Sequence, residues 1–148
     1  MTAVDYTTQP LEAYVAEYIA TTLGLGVLWG NDDASIFVGE EPPVPDSCMT
    51  VFLVGGSPLS EMLRTNLITV RARNNQYQNV MGMLNEVQMG LTPASVAHGG
   101  LLLGPYGVAR ISSTAPALPL GRDGGDKGGR WRASQTFEIT THRRFALA

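Results

Sequence analysis

The sequence predicts an α+β domain, with one mixed or mainly antiparallel sheet packed against two amphipathic helices. Three observations carry this. Residues 9–24 and 76–90 place their apolar side chains at helical spacing. Residues 65–73 and 131–143 alternate apolar and polar, as half-buried strands do. The order is helix, strands, helix, strands, which fits two helices laid over one sheet.

In the first helix the stripe is Leu11, Tyr14, Val15, Tyr18, Ile19, Thr22 and Leu23. Pro10 is tolerated in a first turn, where its missing N–H has no partner anyway. Gly24 and Gly26 supply the stop. Ile36, Phe37 and Val38 form a short strand ending at Gly39, and Glu40 to Asp46 is a stiff, acidic, Pro-rich loop. Cys48–Val54 is an apolar strand bounded by Gly55-Gly56, and its continuity predicts burial on both faces.

In the next strand Leu67, Thr69, Arg71 and Arg73 share one face, and Ile68, Val70 and Ala72 share the other. Two arginines are thus expected on the open side. Their replacement by glutamate is expected to weaken assembly and leave the fold intact. Asn74 or Asn75 caps the second helix, whose stripe is Tyr77, Val80, Met81, Leu84, Val87 and Leu91, ended by Gly90 and Pro93. Residues 92–105 are Gly-rich and read as mostly loop, and 106–114 as a strand. Residues 115–130 read as a long loop rich in Gly, Pro and charge. Trp131, Ala133, Phe137 and Ile139 alternate through the last strand.

The 148 residues make one domain, 1–148. A lone cysteine, Cys48, excludes an internal disulfide framework. It reads as a small core residue. No apolar run approaches the roughly 18–20 residues of a membrane span, and the acidic, base-free N-terminus is unlike a signal peptide. The expectation is a soluble protein from a reducing compartment with no membrane partner.

Charge is distributed unevenly. Residues 1–63 hold nine acids and no Lys or Arg. Residues 64–148 hold all ten basic residues, nine of them Arg, and four acids. The halves carry −9 and +6, for a total of −3. The acidic total argues against free or sequence-specific nucleic-acid binding. Two readings of the split remain. Either the acidic face of one copy meets the basic face of the next, a heterologous contact that closes into rings, or the two signs interleave within one compact domain.

Catalytic, cofactor and metal motifs fail in turn, so no catalytic, cofactor-binding or metal residues are predicted. Gly24-Leu25-Gly26-Val27-Leu28-Trp29 follows a helix and carries Trp where a dinucleotide site needs a third glycine. Gly124 to Gly129 has a lysine but neither the following Ser/Thr nor the glycine spacing of a phosphate loop. His98 and His142 lack metal-ligand spacing. Gly56-Ser57-Pro58 is no nucleophile elbow. Asp32-Asp33 and Glu40-Glu41 are sequence neighbours, so on a strand they point apart. The arginines remain: Arg71, Arg73, Arg110, Arg130, Arg132, Arg143 and Arg144. Arg forms planar bidentate pairs with carboxylates and is enriched at interfaces. Only Trp131 lies directly between two of them, so a base-stacking platform is not expected.

Several pieces align with one family. They are Ile68-Thr69-Val70-Arg71-Ala72-Arg73, Leu120-Gly121-Arg122-Asp123, Gly129-Arg130, and Ala133-Ser134-Gln135-Thr136-Phe137-Glu138-Ile139. Their order, after an N-terminal helix, a short strand and a Pro-rich turn, resembles the tail terminator (tail completion, or minor capsid) proteins of long-tailed phages. The element order matches over nearly the whole chain. The lengthened loop Gly121–Gly129 departs from the pattern.

The resemblance implies a hexameric homo-oligomeric ring at the head-proximal end of the tail tube, with helices outside and the sheet facing the ring. It implies a virion protein of the tail–neck junction, assembled in the host cytoplasm. Its partners would be the tail tube protein and a neck or connector protein, and its action binding alone, with no cofactor. Candidate interface residues are Arg71, Arg73, Arg110, Arg122, Asp123, Lys127, Arg130 and Arg132, with Glu40, Glu41 and Asp46 from the acidic loop. A head–tail connector that does not cap the tube is the alternative, followed by a small ligand-binding domain.

Overall fold

A computed structural model describes residues 10–58, 63–94, 101–123 and 129–143. Helix α1 spans Leu11–Glu17 and continues as a wider π-helical turn, Tyr18–Thr22. The change of pitch shows in the Leu23 N–H, which donates to Tyr18 O five residues back, at 3.1 Å. Leu11, Val15 and Ile19 are buried, and Tyr14 and Tyr18 pack beside them. That is the stripe expected from sequence, except that Thr22 is exposed. Helix α2 spans Tyr77–Ala94, with Val80, Leu84, Val87 and Leu91 on its buried side. Just ahead of it, the Asn74 side chain accepts the Gln76 N–H at 2.9 Å. Gly90 does not end this helix. A Cβ there would lie 2.5 Å from the Leu23 side chain, so the glycine lets α2 lie close against the end of the first helical segment.

Both helices cover one face of a seven-stranded mixed sheet. The strands are β1 (Ile36–Val38), β2 (Cys48–Pro58), β3 (Leu63–Asn74), β4 (Leu101–Leu103), β5 (Tyr106–Ser113), β6 (Leu118–Asp123) and β7 (Arg130–Arg143). The order is β1-β2-β3-β7-β5-β4, and β6 also pairs with β7. Among the described strands only β1 and β2 run parallel. β7 organises the sheet: β3 follows one of its edges, while β5 and β6 share the other.

Register decides which residues meet the helices. Met49, Ala72 and Ala133 align across β2, β3 and β7, as do Val51, Val70 and Gln135, and Leu53, Ile68 and Phe137. All of these but the half-exposed Leu53 are buried. Gln135 is the one polar side chain among them, and its Nε2 donates to Gln88 Oε1 of α2 and to Ser113 Oγ, both at 2.8 Å. The donor side of this amide is satisfied, while its Oε1 is buried without a hydrogen-bond partner, so the burial is only half compensated.

Three expectations need correction. First, β2 does not stop at Gly55-Gly56. It bulges between Leu53 and Gly55 and runs on to Pro58 opposite β3. Its predicted burial on both faces holds for Cys48–Val51, while Leu53 and Val54 are exposed. Second, residues 92–105 are not simply loop. α2 reaches Ala94, and β4 pairs with β5. Third, the expected loop 115–130 contains β6, paired antiparallel with β7 from Leu118↔Ser134 to Asp123↔Arg130. Pro119 and Gly121 flank a bulge, an arrangement an edge strand accepts although its composition reads as loop.

The β2–β3 hairpin gives a direct stability test. A Cβ at Gly56 would stand 2.4 Å from the backbone oxygen of Thr65. Backbone yields less than a side chain does, so Gly56→Ala should cost about 1–3 kcal/mol. Urea unfolding of the variant checks this; an unchanged midpoint would show that the hairpin relaxes freely there.

Candidate interface site on the open sheet face

The face away from the helices carries rows of polar side chains. Register sets Cys48, Arg73 and Arg132 side by side, then Thr50, Arg71 and Ser134, then Phe52, Thr69 and Thr136. The Thr69 and Thr136 hydroxyls bond at 2.8 Å. The Pro-rich loop joining β1 to β2 folds over the first of these rows.

Arginines pin that loop. Arg73 lies beneath it and is only 2% exposed. Its guanidinium donates to the carbonyls of Pro45 and Asp46 and stands 3.5 Å from Glu41 Oε1. Arg132 Nη2 donates to Glu41 Oε2 at 2.7 Å, and Arg71 Nη1 approaches the same oxygen at 3.7 Å. Arg130 Nη1 donates to Pro43 O at 2.6 Å and reaches Asp46 Oδ1 at 3.3 Å. Asn74 adds a bond to Ser47 Oγ at 2.9 Å. The Arg71 guanidinium also lies over the Phe52 ring, 5.1 Å from its centroid.

Prolines explain why this works locally. They lower the entropy lost on ordering the loop and leave carbonyls with no helix or sheet partner. Arg supplies five donors in a rigid fork, enough to meet carbonyls and a carboxylate together.

Of the eleven residues the sequence singled out, six therefore converge: Arg71, Arg73, Arg130, Arg132, Glu41 and Asp46. They converge within one chain. Arg73 is not presented on an open strand face, because the acidic loop covers it. At this point the two signs interleave inside the domain. Glu40 is exposed next to the cluster. Arg110 is exposed on β5, across from Thr140 and away from the loop. Arg122 lies over the Trp131 ring at 5.3 Å and donates to Gly129 O at 3.3 Å. Asp123 ends β6 opposite Arg130. Lys127, Arg144 and His98 lie outside the described residues.

Sequence reasoning missed Phe52, Thr50 and the proline carbonyls as members of the cluster. Only the β2–β3 register brings the first two beside Arg71, and register is set by long-range pairing.

The cluster is not electrically closed. Three guanidiniums face one Glu41 carboxylate, an excess of two positive charges. Arg71 Nε, Arg132 Nε and Thr50 Oγ1 are shielded from solvent and without a hydrogen-bond partner, although Arg71 and Arg132 keep 29% and 28% of their side-chain surface exposed. The chemistry available is recognition of anions. Among the described residues no group of three or more His, Cys, Asp or Glu is placed to hold a metal ion, and no helix is long and apolar enough to cross a membrane.

The fold has a counterpart among solved structures. It is a chain described as "Virion of native gene transfer agent (GTA) particle", matched with a TM-score of 0.54 at 12% identity. The match covers 88% of this chain and 92% of that one. At such identity the likeness is one of fold. No protein-family model and no curated protein matches the sequence.

Proposed function

We propose that this chain is a structural protein of a phage-like virion, and within it the tail terminator: a ring that caps the tail tube and joins it to the neck. The observation that carries the reading is the shared fold with a virion chain, which spans nearly the whole of both molecules. The motif order of the second half supports the finer assignment. In the hexameric ring implied by the resemblance, each contact is heterologous, because a closed cyclic ring larger than a dimer has no other choice. Action is by binding alone. The ring matches the last layer of tail tube protein, offers no edge for another layer, and presents its outer surface to the neck protein. The anion-recognising cluster on a braced loop suits such work, since a preformed surface loses little entropy on docking.

Electron micrographs of particles from the source genome, with an early stop codon in this gene, test the assignment. Tails of uncontrolled length, unattached to heads, are the expected result. Tails of normal length beside full heads would make the chain a head–tail connector. Infectious particles of normal shape would overturn both.

A further inference from the structure

We propose that the Arg71–Arg132 cluster is a carboxylate receptor for a second copy of this chain, and that the turn bearing Asp32 and Asp33 is the group it receives. The inference rests on the proposed self-assembly and names the contact within it.

The receptor side follows from what the cluster lacks. Glu41 neutralises one of three guanidiniums, with Oε2 committed to Arg132 at 2.7 Å and Oε1 3.5 Å from Arg73. Arg71 has only the longest of these contacts, 3.7 Å. Its planar group lies over the Phe52 ring, which favours one orientation in advance. Beside it in register, Thr50 is 1% exposed, and its hydroxyl oxygen has no partner. A buried hydroxyl without a hydrogen bond carries a desolvation cost that an arriving acceptor relieves. Two surplus charges, an unpaired hydroxyl and two partly exposed, preoriented guanidiniums together describe a site for carboxylates.

The choice of partner follows from charge complementarity within the chain. Glu41 and Asp46 are the acids of the N-terminal half that pair with described arginines. Asp32 and Asp33 are both exposed, sit together on the turn before β1, and meet no basic side chain among the described residues. Two adjacent, exposed carboxylates on one turn match the two partly exposed guanidiniums of Arg71 and Arg132. The turn borders the Pro-rich loop, where Asp32 and Asp33 line one cleft with Val44 and Pro45; receptor and turn are nevertheless separate groups, so each copy can give one and take one, as a head-to-tail contact does.

Sedimentation velocity on the full chain over a concentration series tests this, with circular dichroism as the fold check. Wild type is expected to self-associate, more weakly as salt rises. Asp32→Asn with Asp33→Asn alters only exposed side chains and should weaken association by roughly thirtyfold or more. Arg71→Gln should weaken it comparably while Arg132 and Arg73 still hold Glu41. Asp32→Glu with Asp33→Glu should restore much of it. If wild type assembles and either the Asn pair or Arg71→Gln assembles equally well, this contact is wrong and the ring reading stands. If wild type stays monomeric at every concentration, the ring reading falls along with the contact.

Discussion

Glu41→Gln should destabilise the folded chain by about 3 kcal/mol, a large effect for one loop residue. The substitution keeps the shape and removes the one carboxylate that, among the described residues, pairs with Arg71, Arg73 and Arg132. Arg73 is nearly fully buried, so water cannot replace the lost partner. A buried charge without its counter-ion costs far more than an exposed one. Urea denaturation gives the number directly. A change below about 0.5 kcal/mol would mean that the three arginines are solvated enough to need no counter-ion. By the same logic Arg73→Glu should unfold the domain and not merely weaken assembly, because it sets a second buried carboxylate against Glu41.

Phe137→Ala should cost about 3–5 kcal/mol. Phe137 is fully buried, sits midway along β7, and aligns with Ile68 on β3 and Ser113 on β5. Its removal leaves a cavity at the centre of the sheet, beneath the helices, where neighbouring strands are held by hydrogen bonds on both edges and cannot collapse inward. Thermal or urea unfolding checks this, and Phe137→Leu should recover much of the loss. A small effect from Phe137→Ala would mean that the helices settle into the gap.

The fold was legible where local periodicity and burial agree. Val80, Leu84, Val87 and Leu91 repeat at helical spacing, and Ile68, Val70 and Ala72 alternate; these are the residues the core takes in. Legibility failed where long-range pairing overrides composition. Pro119 and Gly121 mark a loop by chemistry, yet β7 offers a free edge that the segment fills. Gly55-Gly56 marks a turn, yet β3 continues opposite and draws β2 onward.

The candidate site was half legible. Residue type and charge asymmetry picked out Arg71, Arg73, Arg130, Arg132, Glu41 and Asp46 as ion-pairing groups. Whether those pairs form within a chain or between chains depends on where the loop folds, and no local pattern encodes that. The structure pairs them within the chain and leaves two positive charges over, which moves the question of assembly from the whole split to that remainder.

The most direct measurement of the proposed role is cryo-electron microscopy of intact, gradient-purified particles, with the map refined at the junction of head and tail. The expected result is a ring of this α+β fold seated on the last layer of the tail tube, with the loop carrying Glu41 on a subunit boundary. Particles that lack this chain altogether, or that carry the fold elsewhere than the junction, would contradict it.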